Sequence, residues 1–206
     1  MKKLPVITIS RQYGSGGRYI GKMLAEALDI PYYDTELINI AAEQSGFDKK
    51  IFEDADKAAS SSLLFSLSMY GGQLGNYHMP LSDRVYLIQS DIVRKIATEG
   101  PCVIVGRCAD YVLHDVENCM SVFLRAPKKA KIRRCVKYYG QTEAEAEENI
   151  NRIDKRRSVY YSHFTGCKWG ASDTYDIVLN TDLLGVEGCV EILKRAAEKS
   201  VEDIED

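Results

Sequence analysis

Hydrophobic and polar positions follow two rhythms along the chain. Val6-Ile7-Thr8-Ile9-Ser10 is an unbroken β-branched and apolar run, the pattern of a strand buried on both faces. Beyond a turn at Gly14-Ser15-Gly16-Gly17, the residues Ile20, Met23, Leu24, Ala27 and Leu28 recur at helical spacing, which predicts a helix to about Asp29. Pro31-Tyr32-Tyr33-Asp34 predicts a short second strand ending in a carboxylate. Strand, glycine turn, helix, strand is the order that builds a parallel α/β sheet.

Residues 35–80 are less regular. Helical patches at 37–44 and 49–59 precede a serine run at 60–62 and glycines at 71, 72 and 75, which reads as a helical insertion. Periodicity then returns. Ser82 is the expected cap of a helix whose buried stripe is Val85, Ile88, Ile92 and Ile96 and whose end is Gly100-Pro101. Residues 102–105, 120–124 and 175–180 predict three more strands. Helices are expected from Ala130 to about Tyr139, from Glu143 to about Tyr161, and from Val186 to about Lys199, and the acidic end at 202–206 is expected to fray.

Composition narrows the classes. With 206 residues, 45% hydrophobic and 28% charged, the chain has the balance of one ordinary globular domain, with or without an insertion. Its net charge of −3 argues against a general nucleic-acid coat. No apolar run reaches the roughly 20 residues of a membrane helix, and the apolar start, broken by Pro5 and stopped by Arg11, is too short for an export signal. The six cysteines form no Cys-x-x-Cys pair, so a reduced, cytoplasmic setting is expected. The histidines (His78, His114, His163) are scattered, and no protein metal ligand is assigned.

The candidate chemistry begins at Ser10-Arg11-Gln12-Tyr13-Gly14-Ser15-Gly16-Gly17-Arg18-Tyr19-Ile20-Gly21. A glycine turn between a strand and a helix directs backbone N–H groups and the positive helix end at one point, a cradle for phosphate. The dinucleotide pattern G-x-G-x-x-G fails at Tyr19. The Walker pattern G-x-x-x-x-G-K-[ST] fits in position only: Arg11 stands at its first Gly, Gly16 at its last, Gly17 at its Lys and Arg18 at its hydroxyl. Arg18 is the expected substitute cation. Asp34, Arg107 and Asp110 follow strands two and three, at the sheet edge where ligands of parallel sheets bind. Each has an alternative use, Asp34 as a helix cap and Arg107 as a surface partner of Asp110. Residues 128–137 hold six cations and no carboxylate, with Lys129, Arg133 and Lys137 on one side and Arg134 adjacent. The next helix carries Arg152, which Glu148 can pair, then Asp154, Arg156 and Arg157. Cations on closing helices suit phosphoryl transfer; a solvated salt-bridged face is the plainer use. Most of the clustered tyrosines are expected to be packing residues.

These motifs resemble the cytidylate kinase-like family, through ITISRQYGSGGRYIGKMLAEAL at 7–28, PYYDTELI at 31–38, CVIVGRCADYVL at 102–113 and DKRRSVYYSHFTGCKWGASDTYDIVLNT at 154–181. The resemblance implies an α/β, three-layer P-loop kinase fold: a five-stranded parallel sheet with a helical NMP-binding insertion and an arginine-rich lid. The core would comprise 1–34, 81–139 and 171–200, the insertion 35–80 and the lid-like region 140–170. It implies that Gly14, Ser15, Gly16, Gly17, Arg18 and Tyr19, with Arg11 beside them, hold the phosphates of ATP, with ATP and Mg2+ as the cofactors. Asp34, Arg107 and Asp110 would lie on the acceptor side. Arg133, Asp154 and Arg157, with Arg156 as neighbour, best match the family's lid pattern. The implied reaction passes the ATP γ-phosphoryl to CMP or dCMP. The chain departs from the pattern at the Walker Lys and at Val105, where cytidylate kinases carry an aspartate. Two alternatives therefore stand beside it, a non-catalytic nucleotide-binding module and a kinase for another small metabolite.

Overall fold

The computed structural model describes residues 4–34, 39–40, 43 and 80–202. Five parallel strands form one sheet in the order β2-β3-β1-β4-β5. They are β1 (Val6–Arg11), β2 (Tyr32–Tyr33), β3 (Val103–Val105), β4 (Cys119–Arg125) and β5 (Ile177–Asn180). Helices α1 (Gly17–Leu28), α2 (Leu81–Glu99), α3 (Ala109–Val112), α4 (Lys128–Tyr139), α5 (Glu143–Thr165) and α6 (Thr181–Glu202) alternate with them. The patch expected at 49–59 and the glycines at 71–75 lie outside the described residues, as do most of 37–44, of which Asn39, Ile40 and Glu43 are helical.

The period of two along β1 explains the three layers. Ile7 and Ile9 point with Val103, Val105, Val122 and Leu124 into a core closed by Ile20 and Leu24 of α1 and by Cys189 and Leu193 of α6. Val6 and Ile104 point the other way, onto Val85, Ile88, Ile92 and Ile96 of α2. The predicted α2 stripe is thus the buried one. Ile7, Ile104 and Leu124 are fully buried, each worth roughly 1.5–3 kcal/mol of transfer free energy. A third, smaller cluster of Cys135, Ala146 and Ile150 joins α4 to α5.

Element ends are set by local chemistry. Pro80, not Ser82, starts α2: its carbonyl accepts from the Asp83 and Arg84 N–H groups, while the Ser82 hydroxyl turns to Asp83. Pro127 likewise starts α4 at Lys128, two residues before the expected Ala130. Thr142 and Glu145 form a reciprocal capping box on α5, which runs on to Thr165 and stops at left-handed Gly166. Strand β5 passes into α6 at Thr181, ahead of the expected Val186, and a break at Gly185 (φ 71°, ψ 178°) divides the helix.

Candidate phosphate-binding site

Because every strand is parallel, their carboxyl ends share one edge, and there the chain turns from β1 into α1. Gly14 and Gly16 take φ of 73° and 83°, a left-handed region open to glycine at little cost. At Gly14 a Cβ would also stand 3.0 Å from the Lys131 carbonyl oxygen and from Cys135 Sγ, so the loop lies against α4. Buried Ser15 donates to the Gln12 carbonyl at 2.8 Å, and its own carbonyl accepts from the Thr181 hydroxyl at 2.7 Å and from Arg134 at 3.3 Å. Arg134 further donates to the Thr181 hydroxyl and carbonyl at 2.8 and 2.6 Å. The loop is therefore fixed from α4 and α6.

Outside it is a cavity of about 980 Å3 whose wall includes Arg11, the glycine turn, Arg18, Asp34, Tyr139 and Arg157. Several positive charges meet there. Arg157 donates to the Arg11 carbonyl at 2.9 Å, which lays α5 across the end of β1. Burial, then the charges of Arg157, Arg107 and Arg18, push the Arg11 guanidinium down to about 9. Burial also lowers Arg157, which Arg156 lowers further and Asp154 partly restores. Cations crowded enough to depress one another form a site whose electrostatics favour an anion. Arg18 projects from the first turn of α1, 62% exposed, and is ion-paired with the buried carboxylate of Asp34. That partner raises Arg18. Asp34 thus faces the cavity and pairs with a cation there, while the residues it would cap as the start of a helix, 35–38, lie outside the described residues.

Past β3 the chain takes three consecutive left-handed residues, Gly106 (φ 87°), Arg107 (58°) and Cys108 (53°). Two of them are not glycine, a backbone cost of order 1–3 kcal/mol each that the surroundings must offset. The turn brings Arg107 up to Arg11 and Tyr160. Asp110 is not its surface partner. It is 8% exposed and accepts from the Tyr161 hydroxyl at 2.6 Å and the Ser10 hydroxyl at 3.3 Å. Burial raises its carboxyl pKa, against those hydrogen bonds. Val105 is fully buried under α1, so no ligand reaches that position from the cavity.

Two of the expected lid residues sit elsewhere. Each Asp154 oxygen has a partner, one the Tyr13 N–H at 2.6 Å and the other the Lys131 ammonium at 2.8 Å, so it clamps α5 to the glycine turn and to α4. Arg133 is 67% exposed and pairs with Asp182 at 3.1 Å, away from the cavity wall. Arg152 donates to Asn149. Arg156 is half-buried beside Arg157. On α4 it is Arg134 that reaches the loop; helical spacing placed it next to Arg133 but could not show which side faces inward. Lys131 and Thr181 were missed for the same reason. Tyr13 is anchored by Gln141 at 3.0 Å and by the Tyr139 ring, with centroids 5.7 Å apart.

Among the described residues no helix is long and apolar enough to cross a membrane, and all six cysteines are free thiols. Comparison with known proteins gives the architecture its relatives. A cytidylate kinase of Methanopyrus kandleri is 25% identical over 206 residues, covering 96% of this chain and 95% of that protein. A solved structure of an uncharacterized protein from Eubacterium ventriosum superposes with a TM-score of 0.73 at 27% identity, covering 94% of this chain and 98% of that one. The shikimate kinase of Bacteroides thetaiotaomicron shares the fold, with a TM-score of 0.53 at 16% identity over 95% and 99% of the two chains. The five-stranded parallel sheet with its helices is that of the P-loop kinase fold. Residues 6–183 match the cytidylate kinase-like family, and the chain belongs to it.

Proposed function

We propose that the protein is an ATP-dependent nucleotide kinase that passes the γ-phosphoryl of ATP to CMP or dCMP. The observation that carries this is the convergence on one cavity of a helix-heading glycine turn with Arg11 and Arg157. In the reaction an oxygen of the acceptor phosphate attacks the γ-phosphorus, the bond to the β-phosphate oxygen breaks, and ADP leaves with a nucleoside diphosphate. That acceptor oxygen is anionic at neutral pH, so no side-chain nucleophile is required. The protein positions the two nucleotides, excludes water, and sets cations around the charge that spreads over the transferring group. Arg157, on the helix that lies over β1, serves that charge. Asp34 and Arg107 form the acceptor side.

Mg2+ supplies charge neutralisation on the phosphates when it enters with ATP. Kinases commonly hold it through phosphate oxygens, water and one or two carboxylates. Among the described residues Asp34 is the carboxylate in the cavity wall and the residue that would hold it. Arg18 pairs with one oxygen of that carboxylate.

The test is ADP formation from ATP and Mg2+ with CMP, dCMP, UMP, AMP and GMP in parallel. Highest turnover with CMP or dCMP supports the reading. A preference for another acceptor would move the substrate class. ATP binding with no turnover on any acceptor would favour the second reading, a non-catalytic nucleotide-binding module, to which Gly17 and the buried Val105 lend weight.

A further inference from the structure

A P-loop places its cation on the helix, immediately after the last glycine of the turn. Here that position is Gly17, and the space its side chain would need is occupied. A Cβ on Gly17 would lie 2.6 Å from Arg11 Cβ and 2.8 Å from Arg11 Cγ, far inside van der Waals contact. From there the Arg11 side chain continues over Gly106, where a Cβ would collide with its Nη1. Two glycines, one at the start of α1 and one in the turn after β3, thus clear a path for one arginine, which starts from the end of β1 and ends in the cavity wall.

The guanidinium at the end of that path is poised for an anion. Its Nε is buried without a hydrogen-bond partner, and among the described residues no carboxylate pairs with it. Its charged neighbours are arginines 157, 107 and 18. A buried, unpartnered donor on a cation is costly unless a ligand satisfies it. Arg18, by contrast, is held by Asp34.

Resting on the reading of the turn as a cradle for ATP phosphates, we propose that Arg11 is the phosphate-binding cation of this loop, the charge having moved from the helix start to the strand end while Gly17 and Gly106 became the space it crosses. Arg11 meets the terminal phosphates of ATP through its fork, which grips two oxygens where an ammonium would present a single point charge.

The experiment measures ATP and inorganic tripolyphosphate binding by titration calorimetry, with folding checked by circular dichroism. The proteins are wild type, Arg11→Met, Arg11→Gly, Gly17→Lys and the double exchange Arg11→Gly/Gly17→Lys. Arg11→Met should weaken both ligands about 10- to 100-fold, the range for a lost charged hydrogen bond. Gly17→Lys alone should melt earlier because its Cβ has no room. The double exchange should melt higher than Gly17→Lys and bind both ligands at least about 10-fold more tightly than Arg11→Gly, because a lysine again stands at the helix start. Unchanged affinity in folded Arg11→Met overturns the proposal and leaves the kinase reading standing. If Arg11→Met does not fold, equal binding by Arg11→Gly and the double exchange overturns it instead. Wild-type protein that binds neither ligand overturns the phosphate reading and the proposal together.

Discussion

Replacing Asp154 tests whether the glycine turn depends on a clamp from α5. The Lys131–Asp154 pair is 2.8 Å long with side chains only 7% and 16% exposed, and the second carboxylate oxygen holds the Tyr13 N–H at 2.6 Å. Asp154→Ala therefore strands a buried ammonium and a loop donor at once. Breaking a buried pair from one side costs about 3–5 kcal/mol, which in a chain of 206 residues corresponds to a melting temperature lowered by roughly 6–20 °C. Most of that cost comes from the orphaned charge, so adding Lys131→Met should recover part of it. The recovery should not extend to ATP binding, because Tyr13 remains untied and the turn loses its geometry. Differential scanning calorimetry of the two single variants and the double variant, with the KM for ATP measured in each, separates these effects. An Asp154→Ala melt within about 2 °C of wild type would refute the reasoning. A double variant no more stable than Asp154→Ala would refute it equally.

Arg157→Ala should lower turnover far more than stability, since Arg157 lines the cavity and spends one hydrogen bond on the Arg11 carbonyl; steady-state kinetics beside a thermal melt would show the split. Arg134→Met removes three hydrogen bonds that tie α4 to Ser15 and Thr181, and should cost about 2–4 kcal/mol in a denaturant titration along with a raised KM for ATP. Asp110 links stability to pH. Its folded pKa is raised by burial, so the native state holds the proton more tightly than the unfolded chain, and stability falls as pH rises from the ordinary value of 3.8 through the folded one. Melting temperatures across that range should show the fall in wild type and a flatter profile in Asp110→Asn. Tyr161→Phe removes the strongest hydrogen bond to the ionised carboxylate and should steepen the fall.

Local pattern made the core elements legible. The β-branched run at Val6, the α2 stripe and the glycine turn each answer to neighbours within a few residues, and parallel order follows from alternation with helices. Their ends were less legible, because Pro80 and Pro127 compete with nearby hydroxyls and apolar residues for the first helical position. The site divided in the same way. The turn, Arg11, Asp34 and Arg157 line one cavity as their places at strand ends and on the charged helix suggested. Asp154 and Arg133 were assigned by likeness of motif, and the packing of α5 on α4 turned one inward to Lys131 and the other outward to Asp182.

The sequence by itself therefore determined the order of elements, the sheet edge that carries the chemistry and the absence of a lysine from the glycine turn, because these depend on residue type and short spacing. Only the tertiary structure decided which cations face the cavity. Arg11 ends β1, Gly17 starts α1 and Gly106 follows β3, and their relation is one of excluded volume: a side chain at Gly17 would meet Arg11 Cβ and Cγ, and one at Gly106 would meet its guanidinium. Such a constraint exists only once β1, α1 and β3 are packed together, and no spacing along the chain encodes it.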